Sequence, residues 1–279
     1  MRMTVWNAIL LGLVQGITEF LPVSSSGHLS IISNLFGLSE TGEGQLLFDV
    51  LLHLGTLVSI CIVYWKDIVS MFFETLGFLN LGPLAGERQQ RYPGARLFFM
   101  IVLSTLPLLL VLPFKDQVET LYYNNYFIGI ALVLTGCMLY VSDKMIPGKK
   151  NGSSMTIYDA LIIGLCQCVA TIPGLSRSGT TISAGIATGL NRNFAVKFAF
   201  LMSIPAVLGA NILSLADAIA SGVDWSSAPA CLAGMAAATV SGIGAIYLLK
   251  YIARKGRFGG FAYYCWVAGV LSIILTMIF

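Results

Sequence analysis

The chain has 279 residues, of which 57% are hydrophobic and only 10% charged, and its mean hydropathy is +0.83. A soluble domain carries about 25% charge, so the composition excludes one and specifies an integral membrane protein, a single membrane domain of roughly six to eight spans. The net charge of +3 says little by itself, and no nucleic-acid partner is expected; the distribution of the charges says more.

The first predicted helix runs from about Thr4 to Phe20. Its Met1-Arg2 start is that of a signal peptide, but the apolar run contains Gln15 and Glu19 and lacks a small-residue cleavage site, so it reads as retained. Pro22 and Ser24 break this helix. The next, about Ser25 to Phe36, is too short to cross about 30 Å of hydrocarbon at 1.5 Å per residue. The pair is therefore expected to enter and leave on one side, as a re-entrant hairpin. Irregular backbone at that depth survives only where protein or a water-filled cavity covers it, so the Ser/Gly turn implies a cavity. Spans follow at about Leu46–Trp65, Leu97–Phe114 and Tyr126–Val141, the first two separated by a polar loop holding Glu87, Arg88, Arg91 and Pro93.

A polar linker, about 146–155, precedes a second hairpin. That hairpin runs from about Ile157 to Thr171, breaks at Pro173-Gly174 and resumes to about Gly189. Spans at about Ala195–Leu215, Ala228–Leu249 and Phe261–Ile278 complete the chain. The six cysteines, Cys61, Cys137, Cys166, Cys168, Cys231 and Cys265, lie mostly in apolar runs without metal-ligand spacing and read as reduced packing residues.

Sliding the first hairpin onto the second by 152 positions matches Ala8 with Ala160, Gly12 with Gly164, Gln15 with Gln167, Ser24 with Ser176, Ser26 with Ser178 and Gly27 with Gly179. The expected fold is thus all-α, an integral membrane inverted-topology repeat. Each half, about 1–145 and 156–279, is one re-entrant helix hairpin plus three transmembrane helices, because an odd number of spans turns the second half over. The cations are lopsided. Lys66, Arg88, Arg91, Arg96, Lys144, Lys149, Lys150, Arg192, Lys197, Lys250, Arg254, Lys255 and Arg257 fall on one side, and only Arg2 and Lys115 on the other. That bias makes the crowded side cytoplasmic. Both termini and the mouth of the first hairpin are then extracytoplasmic.

Ionisable residues inside a membrane are functional candidates by default. Here they are Glu19, His28, Asp49, His53, Asp159 and Arg177. Gln15 and Glu19 share a helix face, and Gly12 and Gly16 let another backbone approach it. A carboxylate there can act as general base or hold a divalent cation, Mg2+ or Ca2+, with Gln15 as a second contact. Glu19 and His28 bracket Ser24, Ser25 and Ser26, as a base must for a hydroxyl to become a nucleophile. Arg177 offers a donor fork that fits phosphate oxygens. Ser176, Ser178, Gly179 and Thr181 surround it, with helix N–H groups completing an anion cradle. The two turns read as halves of one site and are expected to touch. Plainer roles also exist: serines and glycines serve close packing, Asp49 and His53 one turn apart read as a structural pair, and Asp159 reads as a helix N-terminal capping group.

Residues Pro173 to Thr181, reading Pro-Gly-Leu-Ser-Arg-Ser-Gly-Thr-Thr, and the stretch Gln15, Glu19, Phe20-Leu21-Pro22, Ser24-Ser25-Ser26-Gly27-His28 resemble the two motifs of the undecaprenyl-pyrophosphate phosphatases of the bacitracin-resistance type. The resemblance covers essentially the whole chain. Many members carry Glu where this chain has Gln15, which leaves Gln15 a neutral contact to phosphate or metal. The resemblance implies hydrolysis of a polyprenyl pyrophosphate lipid to the monophosphate carrier and phosphate at the bacterial cytoplasmic membrane, aided by a divalent cation. It also implies recycling of that carrier for cell-wall synthesis. Ser25 is the favoured nucleophile, Glu19 or His28 the base, and Arg177 the group that holds phosphate. A flippase for the carrier, alone or combined with hydrolysis, is the alternative that inverted repeats allow. The acid-phosphatase-like lipid phosphatases are excluded, because they need a histidine after the arginine and none follows Arg177. A homodimer is compatible with the sequence.

Overall fold

The computed structural model describes residues 4–35, 43–81, 92–121, 124–221 and 228–278. Arg2, Phe36, Glu87, Arg88 and Arg91 lie outside these. Every named element is a helix, and the β-type pairing among the described residues is a parallel bridge between Lys150 and Leu190.

The first hairpin is α1 (Val5–Phe20) and α2 (Ser25–Leu35). Thr4 caps α1, its side chain accepting from Asn7 N–H at 3.2 Å. At 1.5 Å per residue α1 is about 24 Å long and α2 about 16 Å, both short of the hydrocarbon thickness. Then come α3 (Glu43–Val63), α4 (Trp65–Phe78), α5 (Pro93–Thr105), α6 (Lys115–Thr120) and α7 (Asn125–Lys144). The second half holds α8 (Ile157–Val169), α9 (Arg177–Ala187), α10 (Arg192–Ser221), α11 (Ala228–Lys255) and α12 (Gly259–Ile278). Five helical stretches are long and apolar enough to cross a membrane, and the bent pair α3–α4 would make a sixth. The molecule is an all-helical, multi-pass membrane protein.

Two elements depart from the expected spans. The chain turns by 78° at Tyr64 and continues as α4, where the sequence suggested only a connection. Lys66, Asp67 and Glu74 interrupt the apolar residues of this stretch. Glu74 faces α5 and accepts Gly94 N–H at 2.6 Å. The span expected to reach Phe114 is α-helical only to Thr105 and goes on as 3-10 turns, Leu106–Leu110 and Leu112–Phe114. Pro107 and Pro113 lack the N–H that an α-helical ladder requires.

The two halves interleave. α1 packs along α11 and α8 along α5, while α7 meets α12 and α3 meets both α10 and α11. Glycines set how closely they approach. A Cβ at Gly12 would lie 2.2 Å from the Gly234 carbonyl oxygen, and one at its matched residue Gly164 would lie 2.3 Å from that of Ser104. One buried cluster joins Phe20, Ile60, Met100, Ile163, Ile182, Phe200 and Ile246 from both halves. The linker is tied down as well. Lys150 N–H donates to Gly189 O at 3.0 Å, Asn191 N–H donates to Lys150 O at 2.8 Å, and Arg96 Nη2 donates to Met155 O at 2.6 Å. Asp159 forms a capping box with Thr156 and also binds Lys150. None of the six cysteines forms a disulfide.

Candidate active site

Gln15 and Glu19 sit one turn apart on α1, on the face turned into the bundle. Glu19 is almost enclosed, its side chain 6% accessible. Its Oε2 accepts from Ser25 Oγ at 2.6 Å and from Gln15 Nε2 at 3.2 Å. Its Oε1 accepts from Arg177 Nη2. One carboxylate thus gathers the last turn of α1, the first residue of α2 and the first residue of α9, so the two turns meet as the sequence suggested. Ser178 Oγ, donating to Leu21 O at 3.3 Å, joins them again.

The matched serines repeat each other's bonds. Ser176 caps α9, its Oγ accepting Gly179 N–H at 3.1 Å and lying 3.2 Å from Ser178 Oγ. Ser24 Oγ accepts Gly27 N–H at 3.4 Å and lies 3.4 Å from Ser26 Oγ. The turns differ in backbone: Ser24 has φ 70°, while in the second turn the left-handed residue is Gly174 at φ 87°. There a Cβ would lie 2.8 Å from Ile128 O, so glycine is required. Thr181 Oγ1 donates to Arg177 O at 2.8 Å.

His28 is held elsewhere. Its Nδ1 is 2.7 Å from Ser24 O and its Nε2 is 2.5 Å from Tyr264 Oη. His53 Nδ1 meets the backbone carbonyl of Asp49 at 2.8 Å.

A narrow pocket opens beside the carboxylate, lined by Glu19, Phe20, Arg177, Ser178 and Thr181 with Ala199, Phe200 and Ser203 of α10. Sequence reasoning missed the α10 wall and Tyr264. A polar residue two positions before the in-helix Pro205 was the available signal for Ser203; an aromatic in the apolar run of α12 gives none.

No group of three or more His, Cys, Asp or Glu that could hold a metal occurs among the described residues. Gln15 Oε1 is buried without a hydrogen-bond partner beside Glu19. An amide oxygen and one carboxylate are a fitting protein share for a hard cation that brings its remaining ligands with a phosphate substrate.

The model of the family described as bacitracin resistance protein BacA matches residues 8–271. The undecaprenyl-diphosphatase of Methanosphaera stadtmanae is 41% identical over 277 residues, covering 98% of each chain. That of Carboxydothermus hydrogenoformans is 38% identical over 276 residues, again 98% of each, and that of Desulforapulum autotrophicum is 41% identical over 277. With its motifs converging on Glu19 and nearly its whole length matched, the chain belongs to the bacitracin resistance protein BacA family.

Proposed function

We propose that this protein hydrolyses undecaprenyl pyrophosphate to undecaprenyl phosphate and inorganic phosphate, returning the lipid carrier to cell-wall synthesis and conferring bacitracin resistance. The observation that carries the reading is the bond from Ser25 Oγ to Glu19 Oε2 at 2.6 Å, with Arg177 on the other oxygen of the same carboxylate. Ser25 Oγ attacks the terminal phosphorus in line, and Glu19 accepts the hydroxyl proton. The P–O bond to undecaprenyl phosphate breaks, and that anion leaves. Water then hydrolyses the phosphoserine to release phosphate. Arg177 spreads the charge growing on the equatorial oxygens, the main demand of phosphoryl transfer. His28 is the poorer base, because its ring nitrogens meet Ser24 O and Tyr264 Oη, whereas Glu19 already accepts from Ser25 Oγ.

Gln15 and Glu19 would hold a divalent cation, Mg2+ or Ca2+, whose contribution would be to neutralise part of the pyrophosphate charge in a low-dielectric cavity. Ser24, Ser26, Gly27, Ser176, Ser178, Gly179 and Thr181 would line the substrate's phosphates through hydroxyls and helix N–H groups.

The inverted repeat is supported by packing that exchanges like for like, α1 on α11 and α8 on α5, and by short hairpin helices. An extracytoplasmic mouth is supported by the cations. Contacts link the cation-bearing helix ends: Arg192 with Gly256 and Asp143, Lys197 with Asp67, and Arg96 with Gly152. They gather at one end of the bundle, the cytoplasmic one by the charge bias. The test is phosphate release from undecaprenyl pyrophosphate by the purified protein, with and without chelator. No release under either condition, with or without added Mg2+ or Ca2+, refutes the proposal.

A further inference from the structure

We infer that Tyr264 is a positioning residue for the proposed hydrolysis: it orients His28, and His28 holds the Ser24 turn that presents Ser25. The inference rests on the phosphatase reading. Ser24 is a non-glycine residue at φ 70°, a left-handed conformation that L-residues with a Cβ rarely adopt. Something must hold it there. Its carbonyl accepts twice from one residue, from the His28 backbone N–H at 3.3 Å and from His28 Nδ1 at 2.7 Å. That carbonyl belongs to the peptide group joining Ser24 to Ser25. Fixing its plane fixes where Ser25 leaves the turn, and with it the 2.6 Å approach of Oγ to Glu19.

A carbonyl can only accept, so Nδ1 carries the hydrogen and Nε2 of the neutral ring is an acceptor. Tyr264 fills that acceptor: its Oη is 2.5 Å from Nε2, and the two rings stack at 5.6 Å and 13°. Tyr264 comes from α12, whose Cys265 also reaches the first turn, its Sγ donating to Pro22 O at 3.5 Å. The second turn provides a natural contrast. There the left-handed residue is a glycine, Gly174, which adopts that φ without strain, and Ser176 is extended at φ −77°; the outside bond to Ser176, its N–H donating to Thr135 Oγ1 of α7 at 3.1 Å, holds an unstrained residue. The residue matched to His28 is Thr180, whose buried hydroxyl has no partner. The tyrosine–histidine prop exists only where the backbone is strained.

Tyr264→Phe keeps the ring and its stacking and removes the hydroxyl. Assayed with undecaprenyl pyrophosphate, kcat should fall about five- to thirtyfold, the equivalent of one lost hydrogen bond, with KM and thermal stability unchanged. A role in general packing would lower stability instead, and a role in substrate binding would raise KM. The chain has two histidines, so 15N-histidine NMR gives a second readout that needs no turnover. Tyr264→Phe should shift the His28 Nε2 resonance and leave those of His53 in place. Wild-type kcat in the variant, or His28 resonances that do not move, overturns the inference. Absence of phosphate release from the wild-type protein would sink the phosphatase reading instead, and the NMR comparison would still decide this one.

Discussion

Glu19 and Arg177, 158 residues apart in sequence, share a hydrogen bond at the centre of the bundle, and that bond joins the two hairpins. The guanidinium has five N–H donors, so the one given to Glu19 leaves the others for phosphate oxygens. Arg177→Lys keeps the charge but loses the planar fork. Turnover should drop by about a hundredfold or more, in the range for removing one transition-state donor. Ser178→Ala, which loses the 3.3 Å bond to Leu21 O and the 3.2 Å contact with Ser176 Oγ, should fall by less than about tenfold. A lysine variant near wild-type activity would mean that charge alone suffices.

Ser25→Ala separates nucleophile from ligand. Loss of the attacking oxygen should abolish nearly all turnover while the protein still binds the lipid pyrophosphate, as a direct binding assay would report. Glu19→Gln should reduce kcat by about 10²- to 10⁴-fold, the usual share of a general base. If Ser25→Ala keeps a large part of the wild-type rate, then Ser24, Ser26, His28 or an activated water attacks.

Close packing gives a prediction independent of catalysis. A Cβ at Gly16 would lie 2.1 Å from Ser241 Oγ and 2.3 Å from Ala238 O. Gly16→Ala should therefore destabilise the purified protein by about 1–3 kcal/mol, the cost of overpacking. Gly244, on the same partner helix, has nothing within 4 Å of its added Cβ. Gly244→Ala should be neutral or slightly stabilising, since glycine is the poorer helix former. Equal melting temperatures for both variants would contradict the α1–α11 contact.

Chelation should stop phosphate release, and Mg2+ or Ca2+ should restore it. Gln15→Ala should raise the cation concentration needed for half-maximal rate more than it lowers the rate at saturation. The motive is the partnerless Gln15 Oε1 beside Glu19. A cation titration unchanged in Gln15→Ala would remove this residue from the site.

Much of this was legible in the sequence because the reacting residues sit in short polar stretches that interrupt apolar runs. Burying Glu19 or Arg177 needs a reason, so each stands out, and the 152-residue match between the two stretches says that they belong together. What the sequence hid lies in residues that look ordinary where they stand. Ser203 is one serine in a long apolar helix, and Tyr264 follows another tyrosine in α12. Their importance comes from which helix they face, and that is fixed by glycines packing on backbone carbonyls, as at Gly12 against Gly234. The bend at Tyr64 was hidden for a related reason: α4 mixes charge and aromatics too evenly to be read as either span or loop.

The crossed packing of α1 on α11 bears on how the chain is made. A nascent chain enters the membrane from its N-terminus, yet α1 finds its main neighbour only when residues 228–255 have emerged. Until residue 177 is made Glu19 has no Arg177 and its charge is unmatched in lipid, and until α11 follows it lacks the glycine-lined face that encloses it. The first hairpin must therefore wait during synthesis, near the translocon or at the membrane surface, and the site closes among the last events of assembly. A chain stopped before α11 should leave α1 accessible to water-soluble labels at an introduced cysteine, whereas the complete chain should protect it.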